Sequence, residues 1–427
     1  MMESILQNPK CVYRTDGYFP NTFKRNCYRF KNALHNRLYP ISPMFFSIIF
    51  VVIASFLYKN PPKQNFLMIL REILHEQIAF MLNILLLFHR LFSKLSPQLY
   101  SCEGLLPTLP LPSLKGTIRR YLNSVEPLLS PDEFMDVKKM AENFLKNEGW
   151  KLQALAWVYW CFVSNYVTDL WEKYAYLYMR KGVMINSSVA HLDVFVNVPA
   201  NQAVRAAHVV LLETLSMLSI DRESLRPIAG GIISLSHLRK CYGTTRVPGE
   251  IMDHLDVYCG TSRHIVVYYR GCIYKLDVFD ENDRILSLDE LTEIFSELLT
   301  RNESVGEVEG QIAALTTDSR NQWCLNRRRF FLQNAINCAS LAVIESANFY
   351  LILDDTNYSH DSPEALGIFL KNMLSGDGKN RWVDKSLNYV VTPNGRSGGT
   401  TEHSVADGAE FAYLFENYLS TDFHINH

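Results

Sequence analysis

Apolar positions gather at the front of the chain before any periodic pattern begins. Residues 44–58 carry only Ser47 and Ser55 as polar positions, and with Pro40, Ile41 and Pro43 the run approaches the ~20 residues that span a bilayer. Lys24, Arg25, Arg29, Lys31 and Arg37 precede it, and positive charge on that side argues that this end stays in the cytosol. The run stops at Tyr58-Lys59-Asn60-Pro61-Pro62, as a membrane anchor does. The alternative, a cleaved secretory signal, starts nearer the N-terminus and ends at small residues. A second run, 78–92, is interrupted by Asn83, His89 and Arg90, which leaves about a dozen continuous uncharged residues, short of a span. It reads either as a second crossing or as the end of an amphipathic helix lying on the membrane or on the protein. Two crossings return the chain to its starting side; one does not.

Past these runs the pattern becomes that of a folded domain. Pro107, Pro110 and Pro112 make 106–112 an extended linker, because proline fixes the backbone and blocks helix. Residues 114–128 and 131–147 have the spacing of amphipathic helices, the second with acidic residues in its first turn. The aromatic run 157–178 is helical by period and reads as a core helix. Two extended runs, 264–269 and 272–279, flank Arg270-Gly271 and predict a β-hairpin. A charged helix over 287–299 follows, then a helix over 327–345 feeding a strand at 349–353, and a β-branched run at 387–392. No internal repeat is present. Helices alternating loosely with strands, a hairpin among them, predict a mixed-sheet α/β layer structure.

Composition narrows the function. With 427 residues, 48% apolar and 20% charged, the chain has the means to bury a large core or two smaller ones. A formal net charge of −2 gives no pull toward nucleic acid. Its nine cysteines have no metal-ligand spacing and read as reduced thiols of a cytosol-like compartment. There is no HExxH, phosphate-binding loop or dinucleotide fingerprint.

The one constellation that suggests chemistry is Glu402-His403-Ser404-Val405-Ala406-Asp407-Gly408, after a strand and the turn-forming tract 393–399. A histidine delivered from a strand end by flexible glycines, with a carboxylate four residues on, suits a general base. Spacing alone also fits a surface or satisfied core histidine.

Seven stretches, in order, carry a resemblance: 106–112, 165–178, Tyr242-Gly243-Thr244-Thr245-Arg246-Val247-Pro248-Gly249, 264–271, 315–323, Arg381-Trp382-Val383-Asp384-Lys385-Ser386 with Asn380 before it, and 402–408. Together they resemble the choline/carnitine acyltransferase family, in its membrane-anchored, palmitoyl-transferring branch. Arg29-Phe30-Lys31-Asn32-Ala33 and Tyr39-Pro40-Ile41-Ser42-Pro43 are similar to that branch's regulatory segment and first membrane helix. The resemblance implies a chloramphenicol-acetyltransferase-like mixed sheet with flanking helices, preceded by an N-terminal membrane anchor. Residues 1–42 would be a basic regulatory-like segment, 43–94 the anchor of one or two helices, and 95–427 the N-terminal half of the acyltransferase domain.

It also implies transfer of a long-chain acyl group between coenzyme A and carnitine, in support of mitochondrial fatty acid import. The location would be the mitochondrial outer membrane, with the catalytic region facing the cytosol. No cofactor is tightly bound; the coenzyme A thioester is a co-substrate. The family's catalytic histidine falls on His403, as general base toward carnitine's hydroxyl or the thiol. A free imidazole, with a pKa of about 6.5, is mostly neutral near neutral pH, as a base must be. Asp407 matches the family's acidic position, expected to hold the loop as an ion-pair partner while a backbone carbonyl orients the imidazole. Arg381 and Asp384 match a signature in which Val383 replaces Phe, and are expected to brace the strand that carries His403. Trp171 and Tyr176 match aromatic positions that line the carnitine pocket, where a ring face suits a trimethylammonium group; core packing is the alternative. Leu170 departs from the family's Trp. The family's second half-domain, with its coenzyme A and carnitine-carboxylate sites, is not matched, so the chain alone is expected to transfer acyl groups poorly or not at all. That leaves a second hypothesis, a catalytically inactive, membrane-tethered acyltransferase-like protein.

Overall fold

The structure, a computed structural model, describes residues 12–13, 15–39, 96–106, 108–163, 165–193, 198–303 and 305–426. The apolar runs 44–58 and 78–92, and with them the expected anchor, lie outside these residues. The chain divides into two units, Met1–Gly104 with Tyr176–His427, and Leu105–Ala175.

The larger unit is built on a six-stranded sheet. Its strands are β1 (Ser188–Leu192), β4 (His264–Tyr269), β5 (Cys272–Asp277), β6 (Tyr350–Leu353), β7 (Leu387–Val391) and β8 (Ser397–Glu402). The order is β1-β8-β7-β6-β4-β5. β4, β6 and β7 run parallel, and the other pairings are antiparallel. β2 (Thr244–Val247) and β3 (His254–Val257) form a separate antiparallel pair. This is the mixed sheet with many helices that the sequence predicts.

The parallel strands are buried on both faces, which is why they read as near-continuous apolar runs. Ile265, Val267, Leu351, Leu353, Tyr389 and Val391 face one core, with the Gln202–Asp221 helix. Val266, Tyr350, Ile352 and Val390 face the other, with Trp323, Leu341, Phe369 and Trp382. The Gln202–Asp221 helix is long and apolar enough to cross a bilayer, but 94% of its apolar window is buried inside the protein. It is the main core helix of this unit, and its weak periodicity hides it among apolar positions.

The β4–β5 hairpin turns at Arg270 and Gly271, both at positive φ (46° and 85°), as a tight two-residue loop between twisted strands requires. The Leu288–Thr300 helix starts at a capping box made by Ser287 and Glu290, so the expected helix at 287–299 is present. The expected helix at 327–345 is instead split. Arg320–Asn326 is α-helical, Arg327–Leu332 is a π turn, and Asn334 caps a new helix, Ala335–Ser346, by accepting from Ile336 and Asn337 N–H groups.

The smaller unit carries the helices Leu114–Val125, Pro131–Asn147, Gly149–Phe162 and Thr168–Trp171. A Ser130–Glu133 capping box opens the second. The aromatic run 157–178 is not one core helix: it breaks after Phe162, where Asn165 Oδ1 accepts from the N–H groups of Val167 and Thr168. A side chain that captures two backbone donors competes with helix continuation. Trp157, Trp171 and Tyr174 are exposed.

Candidate active site

His403 sits in the turn directly after β8, the strand paired between β1 and β7. The expectation of flexible glycines before it is not met, since Gly398 and Gly399 lie buried inside β8. A Cβ at Gly399 would come within 1.9 Å of the Asn388 carbonyl oxygen, and one at Gly398 within 2.5 Å of that of His191. Here glycine marks close backbone approach rather than freedom, and His403 is delivered by a fixed strand. Its backbone N–H donates to the Ser187 carbonyl at 2.9 Å.

The imidazole is partly exposed, its side chain 23% accessible. The ring of Tyr176 stacks on it, with centroids 5.2 Å apart and planes 24° from parallel. Asp407 Oδ1 stands 3.6 Å from Nε2, and its side chain is 80% exposed. Nδ1 is buried without a hydrogen-bond partner, so the backbone carbonyl expected to orient the ring is not there. Stacking on Tyr176 and the backbone bond to Ser187 fix it instead. Asp407 holds the loop by opening the Gly408–Asn426 helix. Its carbonyl accepts from Glu410 and Phe411, and its N–H donates to Glu410 Oε2 at 3.1 Å.

Behind His403 lies a buried chain of charges of which the sequence reading assigned only Asp384. Glu402 Oε1 accepts from Ser187 Oγ and Arg246 Nη1, each at 3.0 Å. Its Oε2 accepts from the N–H of Ser404 at 3.0 Å and from the Ser404 hydroxyl. Arg246 Nε donates to Asp253 at 2.8 Å, and Nη2 to the Tyr176 carbonyl at 2.7 Å. Asp253 also accepts from Arg180 at 2.8 Å and Arg320 at 2.6 Å. Arg320 Nη1 continues to Asp384, whose other oxygen accepts from Trp323 Nε1, both at 2.6 Å. Three carboxylates thus alternate with two guanidiniums, and Arg180 adds a third at Asp253, the arrangement that makes buried charge tolerable. Burial pushes the Asp253 carboxyl up, but Arg320 and Arg246 outweigh it and hold it below the ordinary value. At Asp384 burial wins, and its carboxyl is raised against the pull of Arg320.

Asp384 is thus linked through Arg320, Asp253 and Arg246 to Glu402, the residue before His403. Arg381 does not join this chain. Its guanidinium donates to the Asn372 carbonyl at 2.7 Å and to Asn380 Oδ1 at 2.6 Å, so it holds the end of the Pro363–Ser375 helix. Burial without a bonded carboxylate pulls it down to about 10. The neighbouring Lys385 donates to the carbonyls of Glu345 (2.9 Å) and Ala347 (2.5 Å) at the end of the Ala335–Ser346 helix. Trp171 belongs to the smaller unit, is 60% exposed and ends the Thr168–Trp171 helix. Among the described residues no group of three or more His, Cys, Asp or Glu side chains is arranged to hold a metal ion.

Arg246, Arg320 and Trp323 stand in the stretches that carry the resemblance, and Glu402 precedes the histidine.

Known proteins share this arrangement of sequence. The chain is 35% identical to the muscle isoform of carnitine O-palmitoyltransferase 1 from Homo sapiens, over 79% of this chain and 44% of that protein. It is 29% identical to the human liver isoform, over 94% of this chain and 59% of that protein, and 28% identical to mitochondrial carnitine O-acetyltransferase of Saccharomyces cerevisiae, over 74% and 48%. The chain spans about half the length of these relatives. The model of the family described as Choline/Carnitine o-acyltransferase matches residues 109–427, and on that match this chain belongs to the choline/carnitine O-acyltransferase family.

Proposed function

We propose that this protein transfers a long-chain acyl group between coenzyme A and carnitine, with His403 as general base. What supports the reading is a partly exposed imidazole at the end of a rigid strand, stacked on Tyr176, in a chain similar over most of its length to carnitine O-palmitoyltransferases. The large unit takes the part of a chloramphenicol-acetyltransferase-like half-domain. Nε2 takes the proton of carnitine's hydroxyl as the oxygen attacks the thioester carbonyl. The tetrahedral adduct then expels the coenzyme A thiolate, which recovers that proton from the imidazolium. A positioned base of this kind contributes ~10²–10⁴-fold. Tyr176 offers a ring face to the trimethylammonium group of carnitine. Residues 43–94 anchor the protein in the mitochondrial outer membrane, with the large unit facing the cytosol, as part of mitochondrial fatty acid import.

The test is thiol release from palmitoyl-CoA with carnitine as acceptor, using the full membrane-bound chain and its His403→Ala variant. Wild-type transfer that falls by ~10²-fold or more in the variant is the expected result. Transfer that survives the substitution removes the base, and a wild-type chain that releases no thiol removes the activity. Protease added to intact mitochondria should digest the large unit if it faces the cytosol.

A further inference from the structure

We infer that Arg246 is the positioning residue of this site, fixing the His403 imidazole from two sides through Glu402 and Tyr176. The inference rests on the reading of His403 as the reacting base, and goes beyond it by naming what holds that base.

Three observations carry it. The Arg246 side chain is completely buried, and each of its nitrogens has its own acceptor: Nε on Asp253, Nη1 on Glu402 and Nη2 on the Tyr176 carbonyl. Glu402 precedes His403 in the chain, and the Tyr176 ring covers its imidazole. One planar fork therefore sets both the strand end that carries the histidine and the aromatic face that packs on it. A lysine, with one nitrogen on a flexible stem, does not reproduce such a fork.

The second observation is how Arg246 is itself held. Asp253 sits between Arg246, Arg320 and Arg180, so the guanidinium is pinned from behind. Arg180 also donates to the Leu177 carbonyl at 2.7 Å. Two arginines that share Asp253 thus hold successive carbonyls of the Glu172–Leu177 π turn, a rare element that is frequent at functional sites. The third is the missing partner at Nδ1. With no hydrogen bond to that nitrogen, ring orientation depends on Tyr176, and the Tyr176 backbone depends on Arg246.

The experiment reads the imidazole directly, in the full chain with ¹³C-labelled histidine. Twelve histidines are present, and a His403→Gln variant identifies the His403 signal. In the wild type this signal should be shielded by the Tyr176 ring. Arg246→Lys should move it toward the value of free histidine. It should also speed carbethoxylation of His403 by diethyl pyrocarbonate about tenfold, the factor that goes with losing one hydrogen bond to a charged donor, about 1.5 kcal/mol. Tyr176→Ala should give the same signature, and the double variant no more than either single, because both act on one contact.

A lower melting temperature in Arg246→Lys with signal and reactivity at wild-type values makes Arg246 a plain core brace and overturns the inference. If lysine at 246 prevents folding, Glu402→Gln replaces it, since a neutral acceptor of the same shape weakens the Arg246 bond. The signal should then shift in the same direction by less, and an unmoved signal overturns the inference. None of these readouts needs acyl transfer, so a failed base role and a failed positioning role give different results.

Discussion

The carboxylate of Asp407 stands 3.6 Å from Nε2 of His403, on the side opposite the buried and unpartnered Nδ1. In a Ser-His-Asp triad the carboxylate accepts a hydrogen bond from Nδ1–H and leaves Nε2 to the reaction. Asp407 does neither, and its backbone opens the following helix. Asp407→Asn, which suits a helix start as well as Asp does, should therefore lose less than about tenfold in transfer rate. Replacing a triad Asp with Asn costs about 10⁴-fold. A kcat comparison on the full chain decides between them.

The buried chain from Glu402 to Asp384 makes single substitutions costly. Arg320→Met takes from Asp384, 2% exposed, its one guanidinium partner and from Asp253 one of three, and should destabilise the large unit by about 3–5 kcal/mol. Arg320→Met with Asp384→Leu should cost less than the sum of the two singles, because each then removes the other's unpaired charge. Denaturant titration of the four proteins measures this.

Acid should unfold the protein partly through Asp253. Its folded pKa lies below the ordinary carboxylate value, so the folded state holds fewer protons than the unfolded one in that range. The stabilisation is complete above the unfolded pKa, ~3.9, and is lost as pH falls through the lower, folded one. Melting temperature followed down to pH 2 should fall less steeply in Asp253→Asn than in the wild type.

Lys385 has the opposite window. Burial pulls its amine from 10.5 down to about 7, so between those values the unfolded chain holds the extra proton and stability rises with pH. One such group contributes a slope of up to ~1.4 kcal/mol per pH unit. Unfolding free energy from pH 7 to 9.5 should rise more steeply in the wild type than in Lys385→Met. Equal slopes would show that the amine is not desolvated.

His191 stacks on Phe415 at 3.7 Å between ring centroids, and both its ring nitrogens are buried without partners. Burial pushes its pKa down to about 3, so it is held neutral where the unfolded residue is charged. Between pH 3 and 6.5 this lowers stability as the pH falls. His191→Phe keeps an aromatic ring there and removes the charge, and should gain about 1–2 kcal/mol at pH 5 relative to its effect at pH 8. Melting curves at the two values check the sign.

Much of the fold is legible along the chain because its causes are local. The buried runs over 264–269 and 387–392 have no polar alternation, and they became β4 and β7. The helices expected over 131–147 and 287–299 are present, each opened by a capping box, Ser130 with Glu133 and Ser287 with Glu290. Other boundaries misled for equally physical reasons. Asn165 and Asn334 each capture backbone donors and break runs whose periodicity continues across them.

By itself the sequence determined the mixed α/β class, the hairpin at Arg270-Gly271 and the placing of His403 at a strand's end. These follow from the period of apolar positions and from turn residues, which act over a few neighbours. Only the tertiary structure decided that Glu402, Arg246, Asp253, Arg320 and Asp384 form one buried chain. It alone put the ring of Tyr176 on His403 and set Asp407 at a helix start. Apart from Arg246 and Asp253, seven positions apart, the paired charges lie 64 to 156 positions apart, and nothing in the spacing of charges records which one meets which. Burial forces each charge to find an opposite partner, and only the packing of the sheet and its helices brings those partners within reach.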